Sequence, residues 1–158
     1  MTTLKEAKDF LRKNFDEGAD CPCCGQFVKL YKRKITSSMA QGLIVISKRN
    51  EVGEYFHLLT FFKNIKFTQA GIAGDLSKLR WWGLLEMQEG TREDGNPNTG
   101  YYCLTKNGKL FVGGLLKVKK YVFIYNNVVR SKSDEFTDIK ECLGDKFNYD
   151  DLIWDSYE

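Results

Sequence analysis

The stretch from Asp75 to Val112 constrains the fold more than any other part of the chain. DLSKLRWWGLLEM runs through EGTREDGNPNTG into YYCLTKNGKLFV. Ile72, Leu76 and Leu79 recur at helical spacing, and Gly83 stands where a helix would close on a C-cap. Leu84 to Gln88 predicts a short strand. The polar cluster that follows holds Asp94-Gly95 and Asn96-Pro97, both turn dipeptides. Tyr101 to Leu104 predicts the returning strand, and Thr105 is placed to cap a short helix through Val112.

The flanking segments add elements on both sides. Leu4, Ala7, Leu11 and Phe15 predict an amphipathic helix ended near Gly18. QFVKLYKRKI alternates apolar and basic residues and predicts an extended segment. Thr36 opens a second helix with Ala40, Leu43, Ile44 and Ser47 on one face, ending near Arg49. Glu54 to Phe67 is ambiguous between helix and strand. After Gly113-Gly114, VKKYVFIY and VVRSK flank Asn126-Asn127, the pattern of a β-hairpin. Thr137 is expected to cap a helix through Leu143, and Asn148 with Asp151 resembles a capping box.

The central order resembles the winged-helix transcription factors. Their recognition helix leads into a Gly-Leu-Leu step, here Gly83-Leu84-Leu85. Their wing strand ends in Tyr-x-Leu-Thr-x-x-Gly, here Tyr102 to Gly108. The resemblance covers roughly residues 37–113. It implies an α+β fold: a winged-helix core (37–113), an N-terminal helix, Cys-rich turn and basic segment (1–36), and a C-terminal hairpin with acidic helices (114–158). Across the whole chain, CPCCGQ, VKLYKRK, the YNN hairpin and LGDKFNYDDL are similar to a family of small phage and mobile-element proteins with a CPxCGQ motif. That likeness carries no activity over, only the setting of a phage or mobile-element regulator.

DNA is the first partner to weigh. The helix from Gln69 to Trp82 would lie in the major groove and present Gln69, Asp75, Ser77, Lys78 and Arg80. Gln69 suits adenine and Arg80 suits guanine. The loop from Thr91 to Thr99 would reach the backbone with Arg92, but it also carries Glu93 and Asp94, which phosphates repel. A second surface competes for the role. Lys29, Lys32, Arg33 and Lys34 interleave with Phe27, Leu30 and Tyr31, the mixture that suits a phosphate backbone with base stacking. The rival expectation is a winged helix that binds and modulates a host protein. A homodimer is compatible with either reading.

Cys21 and Cys24 have the Cys-x-x-Cys spacing of a zinc knuckle, with Pro22 to pre-set the turn and Gly25 to let the backbone pass beneath a metal. Zinc wants four ligands, and no second pair exists. Zinc on Cys21 and Cys24, a metal-free turn and a redox pair all stand as readings. Thioredoxin-like chemistry is disfavoured because a helix precedes the motif where a strand would be needed.

Charge is uneven. Residues 1–49 carry ten Lys/Arg against five Asp/Glu, whereas residues 130–158 carry four against nine. A basic front and an acidic tail suggest an anionic partner, or a tail that folds back on the front. The polar start and the lack of a long apolar run lead us to expect no membrane partner and a reducing cytoplasm. With one histidine and no phosphate loop or nucleophile motif, no enzyme is expected.

Overall fold

The computed structural model describes residues 3–65, 72–90, 95, 99–126 and 128–154. Helices and strands mix along the chain, which is of the α+β class. The order is α1 (Leu4–Lys13), β1 (Ala19–Asp20), β2 (Phe27–Val28), β3 (Tyr31–Lys34), α2 (Ser37–Arg49), β4 (Phe56–His57), α3 (Leu58–Lys63) and α4 (Ile72–Leu76). A 3-10 helix (Ser77–Trp82) leads to β5 (Leu85–Met87), β6 (Tyr101–Leu104), α5 (Lys106–Val112), β7 (Val118–Lys119), β8 (Tyr121–Tyr125) and β9 (Val128–Lys132). β10 (Phe136–Thr137), α6 (Ile139–Leu143) and α7 (Tyr149–Trp154) follow. Among the described residues, no helix is long and apolar enough to cross a membrane.

The chain divides into two compact units that cut across the sequence segments 1–36, 37–113 and 114–158. One is Met1–Lys34 with Tyr121–Asp134, and the other is Ile35–Lys120 with Glu135–Glu158. The hairpin therefore leaves the acidic C-terminal helices, with which it is contiguous in sequence. Its strand β8 pairs with β3, whereas α6 and α7 pack on α2.

In the first unit, Thr3 caps α1 by accepting from the Glu6 amide at 3.1 Å. Arg12 and Lys13 sit in its last turn, where cations complement the helix dipole. β1 and β2 form a hairpin in which Asp20 pairs with Phe27. The second sheet is antiparallel in the order β3–β8–β9. Asn126, with φ 52°, takes the left-handed backbone where β8 turns toward β9. Its neighbour Asn127 lies outside the described residues.

In the second unit, Leu43, Ile44, Val45 and Ile46 are fully buried, so α2 is covered all round. It packs against α4, α5, α6 and α7. A Cβ at Gly42 would stand 2.6 Å from a Leu76 methyl, so glycine there lets α2 and α4 approach closely. A three-stranded sheet has the order β4–β6–β5. Thr105 ties it to α5: its hydroxyl donates to the Gly83 carbonyl at 2.6 Å and accepts from the Gly108 amide at 2.9 Å.

Local expectations needed three adjustments. The helix ending at Trp82 is α-helical only to Leu76 and then tightens to 3-10. Ser77 and Arg80 both bond carbonyls three residues back, at Gly74 and Ser77, and such local bonds compete with regular α-helix. The cap of α6 is Asp138, whose carboxylate accepts from the Glu141 amide at 2.8 Å, rather than Thr137, which is buried. The ambiguous stretch after Glu54 resolves into both forms, β4 and then α3.

Candidate nucleic-acid interface

The strongest concentration of exposed cations lies on β3, whose four residues Tyr31, Lys32, Arg33 and Lys34 are all exposed. Strand pairing decides which way each points. Tyr31 opposes Ile124, Lys32 opposes Phe123, Arg33 opposes Val122 and Lys34 opposes Tyr121. Directly paired residues share a face, and successive residues alternate. Val122 and Ile124 are buried, whereas Tyr121, Phe123 and Tyr125 are half-buried. The outer face of the sheet therefore carries the aromatic row Tyr121, Phe123 and Tyr125 along its central strand, with Lys32 and Lys34 beside it.

Cation and ring are in contact there. The Lys32 ammonium stands 4.0 Å from the centroid of the Tyr121 ring. On the other edge, the irregularity between Phe123 and Ile124 leaves Arg130 outside the paired register, and its guanidinium lies 5.6 Å from the Tyr125 centroid. Phe15 meets Tyr125 edge-on at 5.4 Å and closes that end of the row. Lys29 and Arg33 flank Tyr31 at 5.3 and 5.0 Å, so β3 offers cations to both sides of the sheet. Among the described residues, Lys29, Lys32, Arg33, Lys34 and Arg130 form no ion pair.

The helix expected in the major groove is arranged differently. Lys78 pairs with Asp75 at 3.3 Å, one turn away. Arg80 Nη1 donates to the Ser77 carbonyl at 2.9 Å, and the Ser77 hydroxyl donates to the Gly74 carbonyl at 2.7 Å. The Lys78 charge and one Arg80 N–H are thus engaged within the segment. Trp82 is buried, with Nε1 donating to the Lys119 carbonyl at 3.0 Å, and Trp81 is half-buried with an unpartnered Nε1. Gln69 and Arg92 lie outside the described residues, as does most of the loop 91–99.

Cys21 and Cys24 are brought together in the loop that closes the β1–β2 hairpin. The Cys21 amide donates to the Gln26 carbonyl at 2.7 Å, and the Gly25 amide to the Cys21 carbonyl at 2.8 Å. The amides of Cys24 and then Cys23 point at the Cys21 sulfur and hold its thiol below the ordinary range. The other two cysteines lie in the second unit. Burial raises the thiols of both Cys103, which lies against Tyr55, and Cys142, which lies 3.5 Å from the Thr137 hydroxyl. Among the described residues, no three His, Cys, Asp or Glu side chains converge on a metal position.

Sequence reasoning found the cations of the sheet but not its rings. The hairpin pattern marks Tyr121, Phe123, Tyr125 and Arg130 as strand residues and does not show that they line one face beside β3. The signal was present in YVFIY, where every second residue is aromatic and Val and Ile fill the gaps. No family model, no curated protein and no solved structure matches the chain.

Proposed function

We propose that this chain binds single-stranded nucleic acid on the outer face of the β3–β8–β9 sheet. The observation that carries the reading is the half-buried row Tyr121, Phe123 and Tyr125 with unpaired Lys32 and Lys34 along its flank. Aromatic faces accept unpaired bases without regard to sequence, and each stacked base contributes about 1–3 kcal/mol. The cations neutralise phosphates and make the affinity fall with salt. Four exposed positions in succession on an edge strand, three of them cationic, repel one another until an anion arrives.

The second unit supports a winged-helix reading of its core. The order α2, β4, α3, α4, β5, β6, with β6 between β4 and β5, is the order that such a core requires. The small net charge of its candidate recognition helix, and the pairing of Lys78 with Asp75, argue against that helix as the main source of affinity. A phage or mobile-element regulator that engages unpaired DNA or RNA fits both units.

Fluorescence anisotropy with labelled single-stranded and duplex oligonucleotides tests this. Single strands should bind more tightly than duplex, and the combined variant K32A/R33A/K34A should lose most of that affinity. A preference for duplex, or no binding at low salt, would overturn the single-strand reading.

One patch favours a protein partner as the second reading. Leu59, Tyr101 and Tyr55 are 53%, 43% and 41% exposed, and β4 and β6 carry no cation. The charges that act on Tyr55 are the carboxylates of Glu86 and Glu89, which repel phosphate, so these exposed apolar groups suit a protein surface better than a nucleic-acid backbone. Replacing Tyr101 with Ser should then abolish capture of a host protein while leaving oligonucleotide binding intact.

A further inference from the structure

We propose that the hairpin loop Cys21–Gln26 is half of a zinc site, completed by the same loop of a second copy of this chain. Cys21 and Cys24 from each copy would supply four sulfurs to one tetrahedral ion.

The loop is built as a two-sulfur chelate. Pairing of Asp20 with Phe27 fixes its two ends, and the bonds from Cys21 to Gln26 and from Gly25 to Cys21 fold the chain back between them. Gly25 takes φ 76°, which glycine adopts without strain, and a Cβ there would meet nothing within 4 Å. The Cys21 side chain meets those of both Cys24 and Cys23, so the loop gathers its thiols, and the Cys-x-x-Cys spacing selects Cys21 and Cys24 as the chelating pair. Cys24 is exposed and Cys21 half-buried, so an ion can approach from solvent.

Among the described residues, one chain does not complete the site. Structural zinc takes four N or S ligands, with sulfur at about 2.3 Å. Cys103 is buried, Cys142 is packed on Thr137, and Nδ1 of the only histidine, His57, is shared with the Thr60 hydroxyl at 2.8 Å. Cys23 is exposed in the same loop but adjoins Cys24, and no three donors converge among the described residues. A second loop supplies the missing pair in the same geometry. Phe27, 55% exposed at the base of the loop, offers the second copy an apolar contact beside the metal. Full occupancy displaces the four thiol protons, two from each chain.

The test is a zinc titration of the reduced, metal-free full chain, followed by light scattering on a sizing column. Binding should end at one zinc per two chains, and the mass should double from 18.3 kDa. EDTA should return the monomer. Cys21→Ser and Cys24→Ser should each remain monomeric in zinc with an unchanged circular dichroism spectrum, whereas Cys23→Ser should still dimerise. Cobalt should give the visible absorption of a tetrahedral thiolate site in the dimer only. Zinc binding at one per chain without a change in mass, a dimer that survives EDTA, or no zinc binding would each overturn the shared site.

Discussion

The Lys32 ammonium lies over the Tyr121 ring, 4.0 Å from its centroid, on a diagonal between β3 and β8. The two residues are far apart in sequence and meet only because the hairpin strand pairs with the basic segment. An exposed cation–π contact is worth about 0.5–1 kcal/mol, so stability alone gives little reason for the pair. Its effect is to hold a positive charge beside an aromatic face, which is where a nucleotide presents its phosphate beside its base. Tyr121→Leu and Phe123→Leu keep apolar volume on the outer face but remove the stacking surface. Each should weaken single-strand binding by roughly five- to a hundredfold, in line with about 1–3 kcal/mol per stacked base. Anisotropy at fixed salt reads the change.

The charged residues should separate by unit in a salt titration. Single-strand affinity falls with salt at a slope of about 0.7 per phosphate neutralised. The K32A/K34A variant, which removes the two lysines of the outer face, should therefore lower the slope by about 1.4. The pair K78A/R80A should leave it unchanged, because Lys78 is matched by Asp75 and Arg80 is engaged with the Ser77 carbonyl. A shallower slope in K78A/R80A would return the binding surface to the helix before Gly83.

Gly108 should not tolerate a side chain. A Cβ built there collides with the Leu84 carbonyl oxygen and approaches a Leu104 methyl at 2.8 Å. Helix propensity favours Ala over Gly by about 0.8–1.0 kcal/mol, but overpacking costs about 1–3 kcal/mol and here the obstacle is backbone. The clash wins, so G108A should lower the Tm of the second unit. Asn107→Ala, at the exposed position just before it, should leave the Tm unchanged or raise it slightly. Differential scanning calorimetry of the two variants gives opposite signs if this packing is right.

The Thr105–Gly108 pattern was legible in the sequence. Thr105 reads as a cap from its position alone, whereas Gly108 entered through the wing-strand resemblance and its need for glycine is set by the Leu84 carbonyl. Helices α2 and α5, capped by Thr36 and Thr105, and the strands around the polar loop were legible too, since their signals are local. The outer face of the sheet was not. Lys32 and Tyr121 become neighbours through register between distant strands, and periodicity along one strand contains no information about which partner lies beside it. The 3-10 form of Ser77–Trp82 was hidden because helical spacing of Leu76 and Leu79 fits an α-helix equally well.

The cysteines should differ in reactivity as pH changes. Amides of Cys24 and Cys23 favour the Cys21 thiolate, so its folded-state pKa lies below the ordinary thiol value. Burial moves Cys103 and Cys142 the other way. Alkylation proceeds through the thiolate, so in the metal-free protein Cys21 should label before Cys103 and Cys142 as pH rises. Cys103 and Cys142 should label only at higher pH or after unfolding. The stability linkage has a matching sign: a depressed folded pKa contributes stability above the unfolded thiol pKa and loses it as pH falls through the folded value. Peptide mapping after timed iodoacetamide treatment measures each site separately. Zinc should protect Cys21 and Cys24 together and leave Cys23 open to alkylation. Equal protection of all three would show that the loop closes around the ion with a different ligand set.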